Sequence, residues 1–320
     1  MYRPQRPKGM TVITRHKSVA VAMGTYNGEA FLLECLQSIT RNDKGITIWA
    51  SDDGSSDRTE DILRSFSKRM SNGNLVLLSG PKRGFSENYR SLINNKDIVA
   101  DFYAFADQDD TWLPDKLDVA ITWLESQPAV RPAMFCSRTR AVDRDGRHLR
   151  YSTLMRRKPS FGNALVESIA SGNTMVFNRS AWELLRESAT RTSFRYHDWW
   201  AYLIVAGSGG RVGYDFNPLV NYRQHDSNAV GLNNSIGARA KRIARLADGE
   251  LRSAIESNIA ALHTSMDLLT MESRRQLDVF ERARSARFPK SSVLLRASGV
   301  YRQKRIDQIG LHAAAICGKL

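Results

Sequence analysis

The sequence contains little cysteine and no long apolar run. Its three cysteines, Cys35, Cys136 and Cys317, lie far apart and form no CxxC pair. This spacing argues against a zinc site or a disulfide framework and favours a reducing compartment. No stretch of about 18 apolar residues is present to span a bilayer, and no apolar run of signal-peptide length follows the basic N-terminus. We therefore expect a cytoplasmic protein.

The excess of positive charge is confined to the two ends of the chain. The 320 residues include 47 Lys and Arg against 33 Asp and Glu, which gives a net charge of +14. Residues 1–17 carry +5 and residues 236–320 carry +8, so the centre is almost balanced. A protein that tracks nucleic acid would line its working face with basic residues. We therefore expect no nucleic-acid partner, but a small anionic ligand at the centre and an anionic surface contacted by the ends.

The first part of the chain alternates between short β-branched runs and stretches of helical periodicity. The predicted strands are 18–23, 46–51, 75–78 and 102–106, followed by helices at 30–39, 57–66, 86–93 and 114–125. This order is typical of βαβ units on a parallel sheet. Shorter strands are predicted at 133–137, 174–178, 211–215 and 219–222, with helices at 181–187 and 198–206. The sequence thus predicts an α/β domain over residues 18–235, with a nucleotide-binding half and a mixed-sheet half that shapes a second substrate pocket.

The chain beyond residue 235 is predicted to be helical and basic. Apolar residues recur every three or four positions from Ile236 to Leu269, interrupted at Asp248-Gly249, which indicates an amphipathic stripe. A basic stretch from 282 to 319 is predicted to be helical with a break at Pro289. Solvated faces, a nucleic-acid arm and a surface for anionic lipid are the alternatives for residues 236–320. We expect peripheral contact with the inner face of the membrane, while residues 1–17 form a separate basic tail.

Three carboxylates follow the fourth predicted strand within four positions. Asp107, Asp109 and Asp110 would repel one another strongly at neutral pH unless a cation neutralised them. Hard oxygen ligands at the end of a strand suit Mg²⁺ or Mn²⁺, which uses one or two protein carboxylates and completes its shell with phosphate oxygens and water. The alternative is a solvated acidic turn that caps the helix predicted to start at Pro114.

A second acidic cluster follows the second predicted strand and contains Asp52, Asp53 and Asp57. Ligands in open α/β sheets bind beyond the carboxyl ends of the strands, where both clusters fall. We predict that Asp53 accepts the imide N–H of a pyrimidine base. Asp57 stands at capping-box spacing from Glu60 and is predicted to start the next helix. An Asx turn is the alternative for this cluster.

Four motifs occur in order along the chain: TYNGE at 25–29, SDDGSSD at 51–57, GFSENY at 84–89 and DQDDTWLPDKL at 107–117. Their succession resembles the family 2 inverting glycosyltransferases. Three later motifs, GNTMVFN at 172–178, HDWW at 197–200 and YRQH at 222–225, are similar to the rhamnosyltransferase-like subgroup. The resemblance implies the GT-A fold, a nucleotide-diphosphate-sugar donor, a divalent cation and a saccharide or lipid-linked acceptor in cell-surface polysaccharide synthesis. The subgroup suggests L-rhamnose as the sugar.

The resemblance also implies roles for individual residues. They are Asp109, Asp107 and His225 for the metal; Thr25, Tyr26, Glu29, Asp52, Asp53, Lys82 and Asp107 for the donor nucleotide; Asn173, Trp199 and Trp200 for the acceptor; and Asp198 for the general base. Asp109 is the expected direct metal ligand. Lys82 is a departure, because many members have Asn at this position, and a cation there could meet the diphosphate. For the two tryptophans, burial in the core is the alternative to stacking on a sugar ring.

Inverting transfer is a single displacement at the anomeric carbon, in which a base takes the proton of the acceptor. Asp198 precedes an aromatic helix, a partly dehydrated setting that would raise the pKa of its carboxylate towards useful basicity; a helix N-cap is the alternative role. One rival function is a sugar-phosphate nucleotidyltransferase, although residues 24–29 lack the basic phosphate loop that it would need. The other is a non-catalytic carbohydrate- or nucleic-acid-binding protein, against which the intact Asp107, Asp109 and Asp198 argue.

Overall fold

The structure of the protein is a computed structural model, which describes residues 17–41, 45–70, 75–225 and 249–320. Its strands are β1 (Val19–Thr25), β2 (Ile46–Asp52), β3 (Leu75–Ser79), β4 (Phe102–Asp107), β5 (Thr111–Trp112), β6 (Ala133–Val142), β7 (His148–Tyr151), β8 (Val176–Asn178) and β9 (Arg211–Arg223). The helices of the α/β part are α1 (Leu32–Thr40), α2 (Thr59–Arg69), α3 (Phe85–Asn94), α4 (Lys116–Glu125), α5 (Phe161–Ala164), α6 (Arg179–Arg191) and α7 (His197–Gly207). Four helices follow: α8 (Glu250–His263), α9 (Met271–Ser285), α10 (Lys290–Ala297) and α11 (Arg305–Ile316).

The described strands form one mixed sheet in the order β3-β2-β1-β4-β8-β6-β9-β5, with β7 paired to the outer part of β6. The first four are parallel, and β1 lies between β2 and β4, so that Val21 pairs with both Ile48 and Ala104. The apolar run of β1 is buried on both faces, as expected for the central strand of a sheet covered by helices on both sides. The predicted α/β class and the division into a parallel and a mixed half are confirmed.

The register of the parallel strands determines where the predicted site residues lie. Thr25 at the end of β1 pairs with Asp52 of β2, and its neighbour Gly24 pairs with Asp107 of β4. The three motif loops that follow β1, β2 and β4 therefore start side by side at one edge of the sheet, which is the edge where ligands of open α/β sheets bind.

Some elements differ from the sequence prediction. The two short strands predicted at 211–215 and 219–222 are one strand, β9, whose pairing with β6 shifts register near Arg138. Such an irregularity places Pro218 within the strand without breaking it. The two-residue β5, the exposed β7 and the four-residue α5 were not predicted, because none of them is long enough or regular enough to show a periodicity.

The C-terminal helices belong to the same core as the α/β part. Ile255, Ile259 and Leu262 of α8 and Phe280 of α9 are buried in one cluster with Trp200 of α7 and with residues of α3 and α6. The described half of the predicted stripe therefore faces protein, and the half between 236 and 247 lies outside the described residues. The boundary predicted at residue 235 does not separate two cores.

The helix breaks in this region agree with the sequence only in part. α8 begins after Gly249, whose φ of +77° favours glycine, as the predicted interruption requires. It ends at His263, so the last predicted stripe positions, Met266 and Leu269, follow in a 3₁₀ turn and its flank. The predicted break at Pro289 is confirmed between α9 and α10. None of the helices in the described ranges combines the length and the hydropathy needed to cross a bilayer.

The shared core makes a testable prediction. Phe280 is fully buried, so Phe280→Ala should lower the free energy of unfolding by about 3–5 kcal/mol. All six tryptophans lie before residue 236, and urea unfolding followed by tryptophan fluorescence therefore reports on the α/β part. The control Met271→Ala, at a 68% exposed position of the same helix, should change the free energy by less than about 0.5 kcal/mol. An unchanged tryptophan transition in Phe280→Ala would show that the C-terminal helices form an independent unit.

Candidate active site

The loops after β1 and β2 are joined by hydrogen bonds between main chain and side chain. The N–H of Glu29 donates to Asp57 Oδ2 at 3.1 Å, and the N–H of Arg58 donates back to Glu29 Oε2 at 3.0 Å. Asp57 Oδ1 accepts the N–H of Thr59, where α2 begins. The capping box predicted for Asp57 is not formed, because this carboxylate bridges two loops, and Glu29 stabilises the second loop.

Asp52 organises its own loop with nearly all of its hydrogen-bonding capacity. Its Oδ1 accepts the N–H groups of Gly54 and Ser55, and its Oδ2 accepts the hydroxyls of Thr25 at 2.9 Å and Ser55 at 2.6 Å. Four bonds are about what a carboxylate can accept. Asp52 and Thr25 are 3% and 1% exposed. Both residues, predicted as donor contacts, shape the loop through these bonds rather than present a side chain at its surface.

Asp53 points to the loop after β3 instead. Its two oxygens accept the N–H groups of Lys82 and Gly84, each at 2.7 Å. These two residues have positive φ values of +57° and +88°, so the carboxylate fixes an unusual turn. Lys82 packs its carbon chain near Gly54 and is exposed. Asp53 and Lys82 thus lie next to each other at the edge of the sheet. Each oxygen of Asp53 has a further lone pair that can accept a hydrogen bond.

Gln108 connects the loop after β1 to the loop after β4, called the acidic loop because it carries Asp107, Asp109 and Asp110. Its side chain accepts the N–H of Tyr26 at 2.9 Å and donates to the carbonyl of the same residue at 2.8 Å. A Cβ at Gly28 would lie 2.2 Å from Gln108 Oε1, so only glycine leaves room for this bond pair. The ring of Tyr26 is 59% exposed and is thereby held as a flat surface beside the acidic loop.

Asp107 ends β4 in a half-buried position. The hydroxyl of Tyr89 donates to its Oδ1 at 3.0 Å and to the carbonyl of Ala106 at 2.7 Å. Burial, and next the charge of Asp109, raise the pKa of Asp107 to about 7. Asp109 Oδ2 lies 2.8 Å from His225 Nε2. Asp109 therefore contacts an imidazole and lies within electrostatic reach of Asp107, at the place where the sequence predicted a metal.

Unlike Asp107 and Asp109, Asp110 faces the interior of the protein. It is 1% exposed and accepts the N–H of Arg223 at 2.8 Å and the side-chain amide of Asn173. Burial, and then the charge of Asp109, raise its pKa well above the usual range. The main-chain carbonyl of Asn173 accepts a hydrogen bond from the buried ammonium of Lys116 at 2.6 Å. Asn173 is fully buried and supports the acidic loop, and its place in the acceptor pocket stays a prediction.

Arg223 braces the acidic loop from the other side, and sequence reasoning gave it no role. Its guanidinium is 2% exposed and donates to the carbonyl of Asp109 at 3.0 Å, to that of Arg144 at 2.5 Å and to Glu34 at 2.6 Å. The only sequence signals were an arginine inside a strand and its place in the YRQH motif. Neither distinguishes a buried brace from a surface charge.

Asp198 lies in the first turn of α7 and is largely enclosed. Burial raises its pKa to about 6, while hydrogen bonds from the N–H groups of Trp199 and Gly172 act in the opposite direction. Its charge contributes to the raised pKa of Asp107, so the two carboxylates lie within electrostatic reach of each other. The residue that precedes the helix is Tyr196, so Asp198 is not the N-cap.

His197 supports the same wall of the site. Its ring stacks on Tyr89 with 3.8 Å between centroids and 2° between planes. Burial lowers its pKa to about 3, so it is neutral. A Cβ at Gly172 would lie 2.3 Å from its Nε2, which explains the glycine. The stack holds Tyr89, whose hydroxyl in turn binds Asp107.

The two tryptophans predicted in the acceptor pocket lie in the core. Trp199 is 7% exposed and its indole N–H donates to the carbonyl of Ala164 at 2.6 Å. Trp200 is fully buried, and its N–H donates to Ser188 Oγ at 3.0 Å. Because both polar groups are satisfied within the protein, neither ring is presented to a sugar, and the core alternative is correct.

Comparison with known proteins identifies the family of the chain. The family model described as Glycosyl transferase family 2 matches residues 20–185, slightly more than half of the chain. The chain is a family 2 glycosyltransferase. It is 30% identical over 231 residues to the dTDP-rhamnosyl transferase RfbG of Shigella flexneri, covering 69% of this chain and 78% of that protein. The predicted family and enzyme class are therefore confirmed.

Solved structures support the fold. The S. aureus TarS 1–349 structure in complex with UDP-GlcNAc aligns with a TM-score of 0.53 at 16% identity, covering 78% of this glycosyltransferase and 70% of that chain. The complex of TarS 1–349 with UDP aligns with a TM-score of 0.54 at 14% identity, covering 93% and 90%. At such identities the likeness concerns the fold alone, and the predicted GT-A fold is confirmed.

The buried contacts of Asn173 make a prediction that separates its two possible roles. In Asn173→Ala, Asp110 loses a hydrogen bond in the interior, which should lower the free energy of unfolding by about 1–3 kcal/mol. The acidic loop should shift, so Mn²⁺-dependent UDP or dTDP binding should weaken in calorimetry. Asn217→Ala, at an exposed position, is the control and should alter neither quantity. An Asn173→Ala enzyme with normal stability and nucleotide affinity but a raised KM for the acceptor would place Asn173 in the acceptor pocket after all.

Proposed function

We propose that this glycosyltransferase transfers a sugar, with inversion, from a nucleotide-diphosphate donor to a saccharide or lipid-linked acceptor in cell-surface polysaccharide synthesis. The observation that carries the proposal is that Asp109 and Asp198 both lie within electrostatic reach of Asp107, at the edge of the sheet where the loops after β1 and β2 start. The identity to a dTDP-rhamnosyl transferase favours L-rhamnose on a dTDP donor. It also favours transfer over the nucleotidyltransferase and the non-catalytic binding protein as functions.

Three exposed or half-buried groups are suited to the donor. The ring of Tyr26 can stack on the base, and Asp53 retains acceptor capacity for a base N–H. Lys82 is exposed beside Asp53 and can approach a phosphate as a cation. The loops that present these side chains are stabilised by the polar groups of Thr25, Asp52 and Glu29. We therefore assign these three residues an indirect role in donor binding.

The acidic loop fits a divalent cation. Burial beside Asp109 is what makes an ionised Asp107 unfavourable, and a cation would relieve this cost. No three Asp, Glu, His or Cys side chains of the described residues form a ready-made metal cage. This agrees with Mg²⁺ or Mn²⁺, which takes few protein ligands and completes its shell with phosphate oxygens and water. We assign Asp109 as direct ligand, with Asp107 and His225 beside it. The cation would supply charge neutralisation of the leaving diphosphate.

Asp198 is assigned as the general base. Its carboxylate takes the proton of the acceptor hydroxyl while that oxygen bonds to the anomeric carbon, and the bond from this carbon to the diphosphate oxygen breaks on the opposite face. A pKa of about 6 leaves Asp198 mostly ionised at neutral pH yet more basic than an exposed aspartate, which suits a general base. The low exposure of α7 around it limits access of water.

We also propose that the protein works at the cytoplasmic face of the membrane. The three cysteines are free, and Cys35 and Cys136 are buried thiols, as a reducing compartment allows. The part of the C-terminal stripe in α8 cannot serve for contact with lipid, because its apolar residues are in the core.

The role of Asp198 can be separated from donor binding. Asp198→Asn should keep nucleotide and metal affinity near the wild-type values, while kcat falls by about 10²–10⁴-fold. In the wild type, kcat should fall about tenfold per pH unit below about pH 6, since the base must be ionised. This dependence should vanish from the residual rate of the variant. Asp109→Asn is the matched control and should lose both nucleotide affinity and turnover. An Asp198→Asn enzyme that folds normally, is limited by chemistry and keeps more than about a tenth of the rate would rule the role out.

A further inference from the structure

α11 has two apolar faces, and the described part of the chain covers only one of them. Leu311 and Ala315 are 3% exposed and belong to the core. Ile306, Ile309 and Ile316 are 70%, 64% and 49% exposed. At 100° per residue the three isoleucines lie on the side of the helix opposite to Leu311 and Ala315. The sequence periodicity finds the first face, whereas the second face is visible only once the packing is known.

Basic residues surround this second face. Residues 286–320 contain seven Lys and Arg and only one acid, Asp307. The exposed Lys304 and Arg305 stand at the start of α11, and neither has an ion-pair partner among the described residues. At the start of α11 the apolar side chains are therefore flanked by the charges of Lys304 and Arg305, which no acidic group of the described protein pairs with.

A second basic segment adjoins the start of α11. The N–H of Arg157 donates to Gln303 at 2.9 Å, and Gln303 donates back to the carbonyl of Arg157 at 3.0 Å. The guanidinium of Arg157 lies 3.7 Å from the ring centroid of Tyr301. Arg156 and Lys158 are exposed on either side, so this segment adds its charge to the same surface.

We propose that this surface docks on an anionic lipid bilayer. The docking face consists of Ile306, Ile309 and Ile316 with the exposed basic residues Arg156, Lys158, Lys304 and Arg305. Isoleucines that enter the headgroup region, flanked by cations that meet lipid phosphates, are the chemistry of an interfacial helix. Association of two copies through this face is disfavoured, because a two-fold contact would bring together two surfaces whose exposed cations Lys304 and Arg305 have no ion-pair partner among the described residues.

The docking face is connected to α7, the helix that carries Asp198. The segment that carries Arg157 continues to Ser160, whose N–H donates to the hydroxyl of Tyr202 at 2.9 Å. Tyr202 lies one turn after Asp198 on α7. This contact links the docking face to the helix that carries the proposed general base, which suits a lipid-linked acceptor. This last step rests on the proposed function, whereas binding to vesicles does not.

Flotation of the full chain with lipid vesicles tests the proposal. Phosphatidylcholine vesicles that contain phosphatidylglycerol should bind the wild type, pure phosphatidylcholine vesicles should not, and added salt should weaken the binding. Ile306→Gln/Ile309→Gln should lower the affinity on the order of tenfold, since it removes the apolar insertion. The control Val99→Gln/Val130→Gln alters two valines that are 65% and 89% exposed elsewhere and should bind like the wild type.

A matched pair of charge-reversal variants tests the electrostatic contribution to vesicle binding. Lys304→Glu/Arg305→Glu should reduce binding to anionic vesicles by at least about tenfold. Lys68→Glu/Arg69→Glu makes the same change of net charge on α2, which packs on the other side of the sheet, and should bind nearly as well as the wild type. Equal losses in both charge variants would show that net charge rather than this face is responsible, and would overturn the proposal.

Two further outcomes would contradict the docking face. One is unchanged vesicle binding by the isoleucine variant. The other is a concentration-dependent dimer of the wild type, in the absence of vesicles, that the isoleucine variant abolishes, because the face would then be a self-association surface. Transfer to a water-soluble acceptor should be normal in this variant. If the wild type transfers no sugar to such an acceptor, the proposed function is refuted, whereas the conclusion on vesicle binding is unaffected.

Discussion

The arrangement of the site depends on how the carboxylates after β4 are held in a buried place. Isolated charges cost several kcal/mol each when they are buried, so such a cluster survives only with compensation. Asp110 accepts hydrogen bonds from Asn173 and from the main chain of Arg223, and burial still raises its pKa well above the usual range. Asp107 receives one hydroxyl, from Tyr89, and its pKa is raised as well. Neither carboxylate is fully compensated within the protein, and we propose that a cation held by Asp109 and Asp107 supplies the rest.

The support for this cluster comes from parts of the chain that are distant in sequence. Lys116 from α4, Asn173 from the turn before β8 and Arg223 from the end of β9 all meet below the acidic loop. His197 and Tyr89 form the wall on the side of α7. The turn before β8 and the end of β9 belong to the mixed half of the sheet, whereas Tyr89 belongs to α3, which packs on the parallel strands β1 and β2. The mixed half therefore does more than shape a second pocket, because it supplies part of the support for the acidic loop of the parallel half.

The sequence predicts the features that depend on nearby residues, but not those that depend on contacts with residues distant in the chain. The positions of Asp107, Asp109 and Asp198 follow from strand ends and motifs, and the structure brings them to one edge. Trp199 and Trp200 could not be assigned from sequence, because an aromatic pair at a helix start suits a core as well as a sugar. Likewise the stripe of α8 shows that one face is apolar but not what covers it. The buried roles of Lys116 and Arg223 depend on tertiary contacts that no local pattern records.

Calorimetric titration of Mn²⁺ and nucleotide into the enzyme tests the central claim most directly. Burial raises the pKa of Asp107 to about 7, so at about pH 6.5 this carboxylate holds a proton that the cation must displace. Titrations in two buffers of different ionisation enthalpy should show proton release, which disappears in Asp107→Asn and diminishes well above pH 7. Nucleotide binding that is equally tight in EDTA, with no proton release at any pH, would contradict the account.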